Sequence, residues 1–179
     1  IHENVSEGMG LVYVGPNHCS RKMYDMLPVD KEIKLRRKGG KWSKAADHFV
    51  TSGIPFSVLP GTDYTHSPVT GNVVAKVAGR PLVVVQDGPG LGRAVVFTYN
   101  TGWIGSGHYS YGMTPWMEKS NCHFKYWEYH FSMLAKALVW ASGREPAVKL
   151  QSVTARRAEV VIGLANRRAA LWGSVEITV

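Results

Sequence analysis

Hydrophobic positions along this chain change their period several times, and each change marks an element. Between residues 124 and 142 they recur at helical spacing. Trp127, Phe131, Leu134, Leu138 and Ala141 follow steps of four, three, four and three, one face of a 3.6-residue repeat. Tyr126, His130, Met133, Ala137 and Trp140 form a second apolar stripe beside it, leaving Glu128, Ser132, Ala135, Lys136 and Val139 as a narrow outer face. Such a helix is predicted to pack on a sheet and also to lie under another element. Ser120 or Asn121 can cap its start, and Gly143 followed by Pro146 supplies a stop. A buried imidazole needs a partner whatever its role, so His130 reads as a core histidine with one hydrogen bond, ahead of a catalytic group.

Elsewhere the pattern is that of strands. Residues 9–15 are a short apolar run between glycines, which suits a buried parallel strand. Residues 1–8 before it look like the tail of a helix, and residues 24–27, stopped by Pro28, like a helical turn. Residues 49–59 carry Gly53 and Pro55 and read as an irregular connection with one short extended piece; residues 63–68 read as loop. The β-branched runs 72–77, 81–86 and 94–99 are joined by glycine-containing turns, giving an antiparallel meander at the edge of a parallel sheet. The Gly88–Arg93 turn contains three glycines, but a phosphate-binding fingerprint needs a helix after it and here a strand follows. After Glu145 three strand-like runs, 148–153, 159–165 and 174–179, alternate with arginine-rich turns. The expected organisation is an α/β domain over 1–146, then a β-strand appendage or the start of a β-sandwich over 147–179. The final apolar strand would leave an open edge, so the remainder of a larger polypeptide or a partner chain is expected to cover it.

Composition narrows the functional classes less than the pattern does. The 179 residues carry a formal net charge of +8. The densest basic cluster is 31–44, where Lys34, Arg36, Arg37, Lys38 and Lys41 are the candidate contacts to a polyanion, nucleic acid or an acidic glycan, with Trp42 among them. The alternative is a solvated basic loop. No apolar run approaches the roughly 20 residues that span a bilayer. Two cysteines, Cys19 and Cys122, make neither a disulfide framework nor a zinc site, and His48 and His66 stand apart from other ligand-type residues. No metal or cofactor is expected, and the compartment stays open. Cys19 follows the first strand, where open α/β sheets place ligand sites. With His18 beside it, or His108 from a later loop, it is the candidate nucleophile, provided its thiol is activated. Asn17 and Asn100 at the same strand ends, with Trp103, Tyr109, Tyr111 and Trp116 in the glycine-rich loop, suit stacking on a sugar ring or, equally, an interface.

The run Glu7-Gly8-Met9-Gly10-Leu11-Val12-Tyr13-Val14-Gly15 resembles the helix-then-GGGLV-strand-then-Gly segment of glutamine-amidotransferase-like domains, including the trehalose-utilisation (ThuA-like) group. Pro81 to Val85, then Gly90 to Arg93 with Val95-Val96-Phe97, is similar to their later strands, and Val139 to Arg144 to their closing W-A-x-G-R helix. The set covers roughly residues 5–146. The resemblance implies a flavodoxin-like three-layer fold, of which this chain would hold the later strands. It also implies a Gly-x-Cys-x-Gly elbow and a late His-x-Glu, which this chain lacks. The elbow position reads Gly15-Pro16-Asn17-His18-Cys19, and the late strand ends Thr98-Tyr99-Asn100. A thiol without its base lacks a proton shuttle. The expectation is therefore a non-catalytic module of a larger protein, acting in assembly or in binding a ligand such as a carbohydrate. The alternatives are a Cys19-dependent hydrolase or amidotransferase, and a polyanion-binding subunit.

Overall fold

A computed structural model describes residues 1–15, 20–29, 34–66, 70–88, 91–99, 113, 115, 126–146, 148–156 and 159–166. The chain divides into two compact units, Ile1–Arg144 and Glu145–Val179. In chain order the first unit carries α1 (His2–Ser6), β1 (Leu11–Val14), α2 (Arg21–Tyr24), β2 (Lys34–Gly40) and β3 (Trp42–Lys44). A 3-10 turn (Phe49–Thr51) follows, then β4 (Thr62–His66), β5 (Asn72–Val77), β6 (Arg80–Gly88), β7 (Leu91–Phe97) and α3 (Trp127–Ala141). The second unit adds β8 (Val148–Arg156) and β9 (Glu159–Asn166).

The first unit is a mixed α/β fold on an open five-stranded sheet of order β1-β7-β6-β5-β3. Strands β5, β6 and β7 form the expected antiparallel meander, with Val73↔Val84 and Val84↔Val96 in register. Ala78 and Gly79 between β5 and β6 both have positive φ, 49° and 75°, the signature of a tight primed hairpin turn. Strand β1 joins β7 in parallel, from Leu11↔Ala94 to Val14↔Phe97. The meander is thus the body of the sheet and not the edge of a parallel one. Tight turns force antiparallel pairing, so β1–β7 is the one parallel pair among the described strands.

Alternation distributes the strand side chains to two faces. Val83, Val85, Val95 and Phe97 join Met133, Leu134, Ala137 and Trp140 of α3, with Val50 and Ile54 from the 3-10 region, in the main core. Val96, Leu27 and Val29, with Leu11 and Tyr13, form a smaller cluster on the other face. Two glycines set how closely the elements approach. A Cβ on Gly10 would run into the backbone carbonyl of Ala141 at the end of α3, and one on Gly92 into the carbonyl of Met9. The end of α3 is closed as expected. Gly143 (φ 70°) donates to the Trp140 carbonyl at 2.9 Å and Arg144 to that of Val139 at 3.0 Å, the paired bonds of a Schellman motif. Arg93 stacks on Trp140, 4.9 Å from its ring, and donates to the Trp140 carbonyl at 3.0 Å.

Further expectations are corrected. First, α3 is buried along one face only: His130, Met133, Leu134, Ala137, Trp140 and Ala141. Trp127, Phe131 and Leu138 are 51, 46 and 61% exposed, because a helix lying on one side of a sheet covers a single arc of its circumference. Its described start is Trp127, and Ser120 and Asn121 lie outside the described residues. Second, the basic stretch 31–44 contains two strands, β2 and β3, where a loop was expected. Third, 62–66 is the strand β4 that pairs β2 antiparallel, Lys34↔His66 and Arg36↔Tyr64, in a separate two-stranded sheet. Backbone pairing carries that ribbon despite its charged composition. In residues 49–59 the described backbone has a 3-10 turn and bends but no extended strand. The second unit is an antiparallel hairpin from Val148↔Asn166 to Arg156↔Glu159; the run 174–179 lies outside the described residues. Among the described residues no helix is long and apolar enough to cross a membrane.

Candidate functional site

The carboxyl ends of the parallel strands are the place where an open α/β sheet presents chemistry. Here Gly15 donates to the Phe97 carbonyl at 2.9 Å, so the two strands finish side by side. β7 then runs into Thr98, whose hydroxyl donates to the Pro81 carbonyl at 3.0 Å, and into Tyr99. Tyr99 is wholly buried and donates its hydroxyl to the Met113 carbonyl at 2.6 Å. Its ring lies 5.6 Å from that of Phe97 and 6.3 Å from the imidazole of His130, which the first turn of α3 delivers to the same place. Trp42 completes the group. β3 pairs with β5 at Trp42↔Val77, and the indole stacks on Phe56 at 6.0 Å and sits 5.5 Å from His130.

This cluster is apolar in its electrostatics. Burial holds His130 down at about 4, so the imidazole is neutral at pH 7. Burial also pushes the Tyr99 phenol far above its ordinary range. His130 Nδ1 and Trp42 Nε1 are buried with no hydrogen-bond partner among the described residues. The expected single bond is therefore not made at Nδ1. A general base works best with a pKa near the operating pH; a buried imidazole near 4 is a weak one. Among the described residues this strand end is a packed aromatic core around a neutral imidazole.

Of the residues singled out from the sequence, Asn17, His18, Cys19, Asn100, Trp103, His108, Tyr109, Tyr111 and Trp116 lie outside the described residues. Lys34, Arg36, Arg37 and Lys38 fall on β2, and Lys41 is exposed between β2 and β3. Lys44 is engaged with Asp47. His48 Nδ1 accepts from the Val50 amide at 3.3 Å and caps the 3-10 turn, and its ring meets Trp140 edge-on at 4.9 Å. His66 sits on β4 opposite Lys34. Among the described residues no group of three or more His, Cys, Asp or Glu could hold a metal.

Two features were not found by sequence reasoning. Trp42, expected as an aromatic in a basic loop, is core; the available signal was one large apolar residue set among polar ones in Lys41-Trp42-Ser43-Lys44. The second feature is the outward stripe of α3. At its end, an open cleft of about 380 Å³ lies between Gly8, Met9, Gly10 and Val12 on one side and Leu138, Ala141 and Ser142 on the other. Among the described residues no ionisable side chain lines it, and its surface is partly polar, from backbone groups and Ser142, and partly apolar.

No protein-family model and no curated protein matches this chain. Among solved structures it is similar to the cytoplasmic protein STM1381 of Salmonella typhimurium LT2, with a TM-score of 0.55 at 22% identity over 79% of this chain. It is also similar to the cytoplasmic protein STM3548 of Salmonella typhimurium, with a TM-score of 0.53 at 18% identity over 77% of this chain. The matched region spans 59% and 57% of those two proteins. Likeness at this level of identity bears on the fold alone.

Proposed function

We propose that this chain is a non-catalytic glutamine-amidotransferase-like module of a larger assembly, with a flavodoxin-like layering of which the described sheet and α3 are part. One observation carries the reading. Where the resemblance implies a histidine and a glutamate beyond the late strand, β7 leads into Thr98 and Tyr99, both buried, and the imidazole that reaches this end is held neutral at about 4. A cysteine nucleophile needs a base able to take its proton near neutrality; the described residues here supply none. The parallel β1–β7 pair and the glycine contacts that seat α3 against the start of β1 support the layering. The exposed apolar stripe of α3 supports assembly over chemistry.

The test is the pH dependence of Cys19 alkylation, measured in a Cys122→Ser background. The reading expects a thiol that titrates at or above about 8.5, the ordinary value. A reactive plateau extending below about pH 7 that disappears in His18→Ala or His108→Ala would overturn it.

A further inference from the structure

The outward face of α3 has an exposed apolar stripe and two exposed charges at opposite ends. Trp127, Phe131 and Leu138 are 51, 46 and 61% exposed, and Met9, beside Leu138 in the cleft, is 43% exposed. Trp127 and Phe131 already hold each other edge-on at 5.8 Å, so the stripe is ordered before anything covers it. Small Ala135 is exposed at its middle. Glu128 at the start of α3 and Arg144 just past its end are exposed, with no ion pair among the described residues. Glu128 and Ala141, the last helical residue, are about 20 Å apart along the axis, and Arg144 follows Ala141 by three residues.

We infer that this face is the two-fold interface between two copies of the chain, with the two α3 helices antiparallel and crossing at Ala135. The proposal rests on the assembly reading above and names the partner. An isologous contact must be self-complementary, and the antiparallel choice makes it so. Phe131 packs against Leu138 of the partner subunit, and Leu138 against the partner's Phe131. Glu128 comes within reach of Arg144 of the partner subunit, twice over. A parallel pair would instead set Glu128 against its own copy and Arg144 against its own. Ala135 at the crossing lets the axes approach to about 8 Å, the low end of helix packing.

The area agrees with a reversible dimer. Each half-exposed aromatic offers roughly 100 Å². With Leu138 and Met9 the stripe supplies about 400 Å² per subunit, and the flanking Glu128, Ala135, Ser142 and Arg144 bring the total for both subunits to about 1,000 Å², the lower end of specific interfaces. A contact at this low end of specific interfaces is expected to be weak and reversible.

Sedimentation velocity over roughly 2–200 µM and cysteine cross-linking test this together. The unaltered chain should pass from monomer to dimer in that range. Phe131→Glu, at an exposed position that leaves the core intact, should weaken association at least tenfold while far-UV circular dichroism is unchanged; Leu138→Glu serves as a second variant. In a Cys19→Ser, Cys122→Ser background, Ala135→Cys should form a disulfide with its own copy. Glu128→Cys, about 21 Å from its copy in this geometry, should not. A monomer at every concentration, as expected if a different protein or another segment covers the stripe, overturns the proposal. So does a dimer indifferent to Phe131→Glu, or Glu128→Cys coupling as readily as Ala135→Cys. Glutamine turnover by a dimer would defeat the non-catalytic reading and leave the interface standing; a monomer without turnover would do the reverse.

Discussion

Acid should weaken this fold through His130. The imidazole is 2% exposed, packed between Trp42 and Tyr99, and its Nδ1 has no partner among the described residues. Protonation would place a charge there with no acceptor among the described residues for the new N–H. Folding therefore lowers the pKa from 6.5 to about 4. The sign follows directly: the unfolded chain binds the proton more tightly, so stability is highest above pH 6.5, falls as pH drops toward 4, and levels off below. A shift of this size corresponds to about 3 kcal/mol between pH 7 and pH 4. Urea unfolding midpoints between pH 7.5 and 4, measured for the unaltered chain and for His130→Phe, isolate the effect. The other six histidines are common to both proteins, so their contribution cancels in the comparison. Phenylalanine keeps the ring contacts to Trp42 and Tyr99 and removes the titration. The gap between the two curves should close by about 3 kcal/mol in favour of the variant as pH falls. Parallel curves, or an imidazole titrating near 6.5 by NMR, would refute the burial argument.

The glycine contacts make a second, independent forecast. Gly10→Ala and Gly92→Ala each drive a Cβ into backbone, that of Ala141 and of Met9 respectively, and backbone cannot yield as a side-chain tip can. Each should cost about 3 kcal/mol or more. Gly79→Ala meets open space and bears only the strain of its φ of 75°, about 1–2 kcal/mol. Chemical denaturation of the three variants checks the ranking, and equal losses at all three would contradict it.

What could be read from the sequence follows the physics of each element. The runs 72–77, 81–86 and 94–99 are β-branched and punctuated by glycine, so local preference and tertiary structure agree, and β5, β6 and β7 were foreseen. The stop of α3 was foreseen for the same reason, since Gly143 serves there as the left-handed residue of the cap. The faces of α3 were not. With two adjacent apolar stripes, periodicity cannot say which one the sheet covers, and the sheet took His130, Met133 and Ala137 over Trp127, Phe131 and Leu138. The β2–β4 ribbon was missed because Lys34-Leu35-Arg36-Arg37-Lys38-Gly39-Gly40 has neither alternation nor β-branched residues; its pairing partner, not its composition, makes it a strand. The candidate site was half visible. Absence of a His-x-Glu after β7 is plain in Thr98-Tyr99-Asn100, whereas the filling of that end by Trp42 and His130 depends on contacts between positions 88 residues apart.

The most direct measurement on the central claim is ammonia release from L-glutamine by the purified chain at pH 7–8, with and without alkylation of its thiols. A neutral, aromatic-filled strand end predicts no release above the protein-free rate, and no change on alkylation. Sustained turnover that is abolished by Cys19→Ser, in protein that remains folded, would contradict the account and make this chain an amidase.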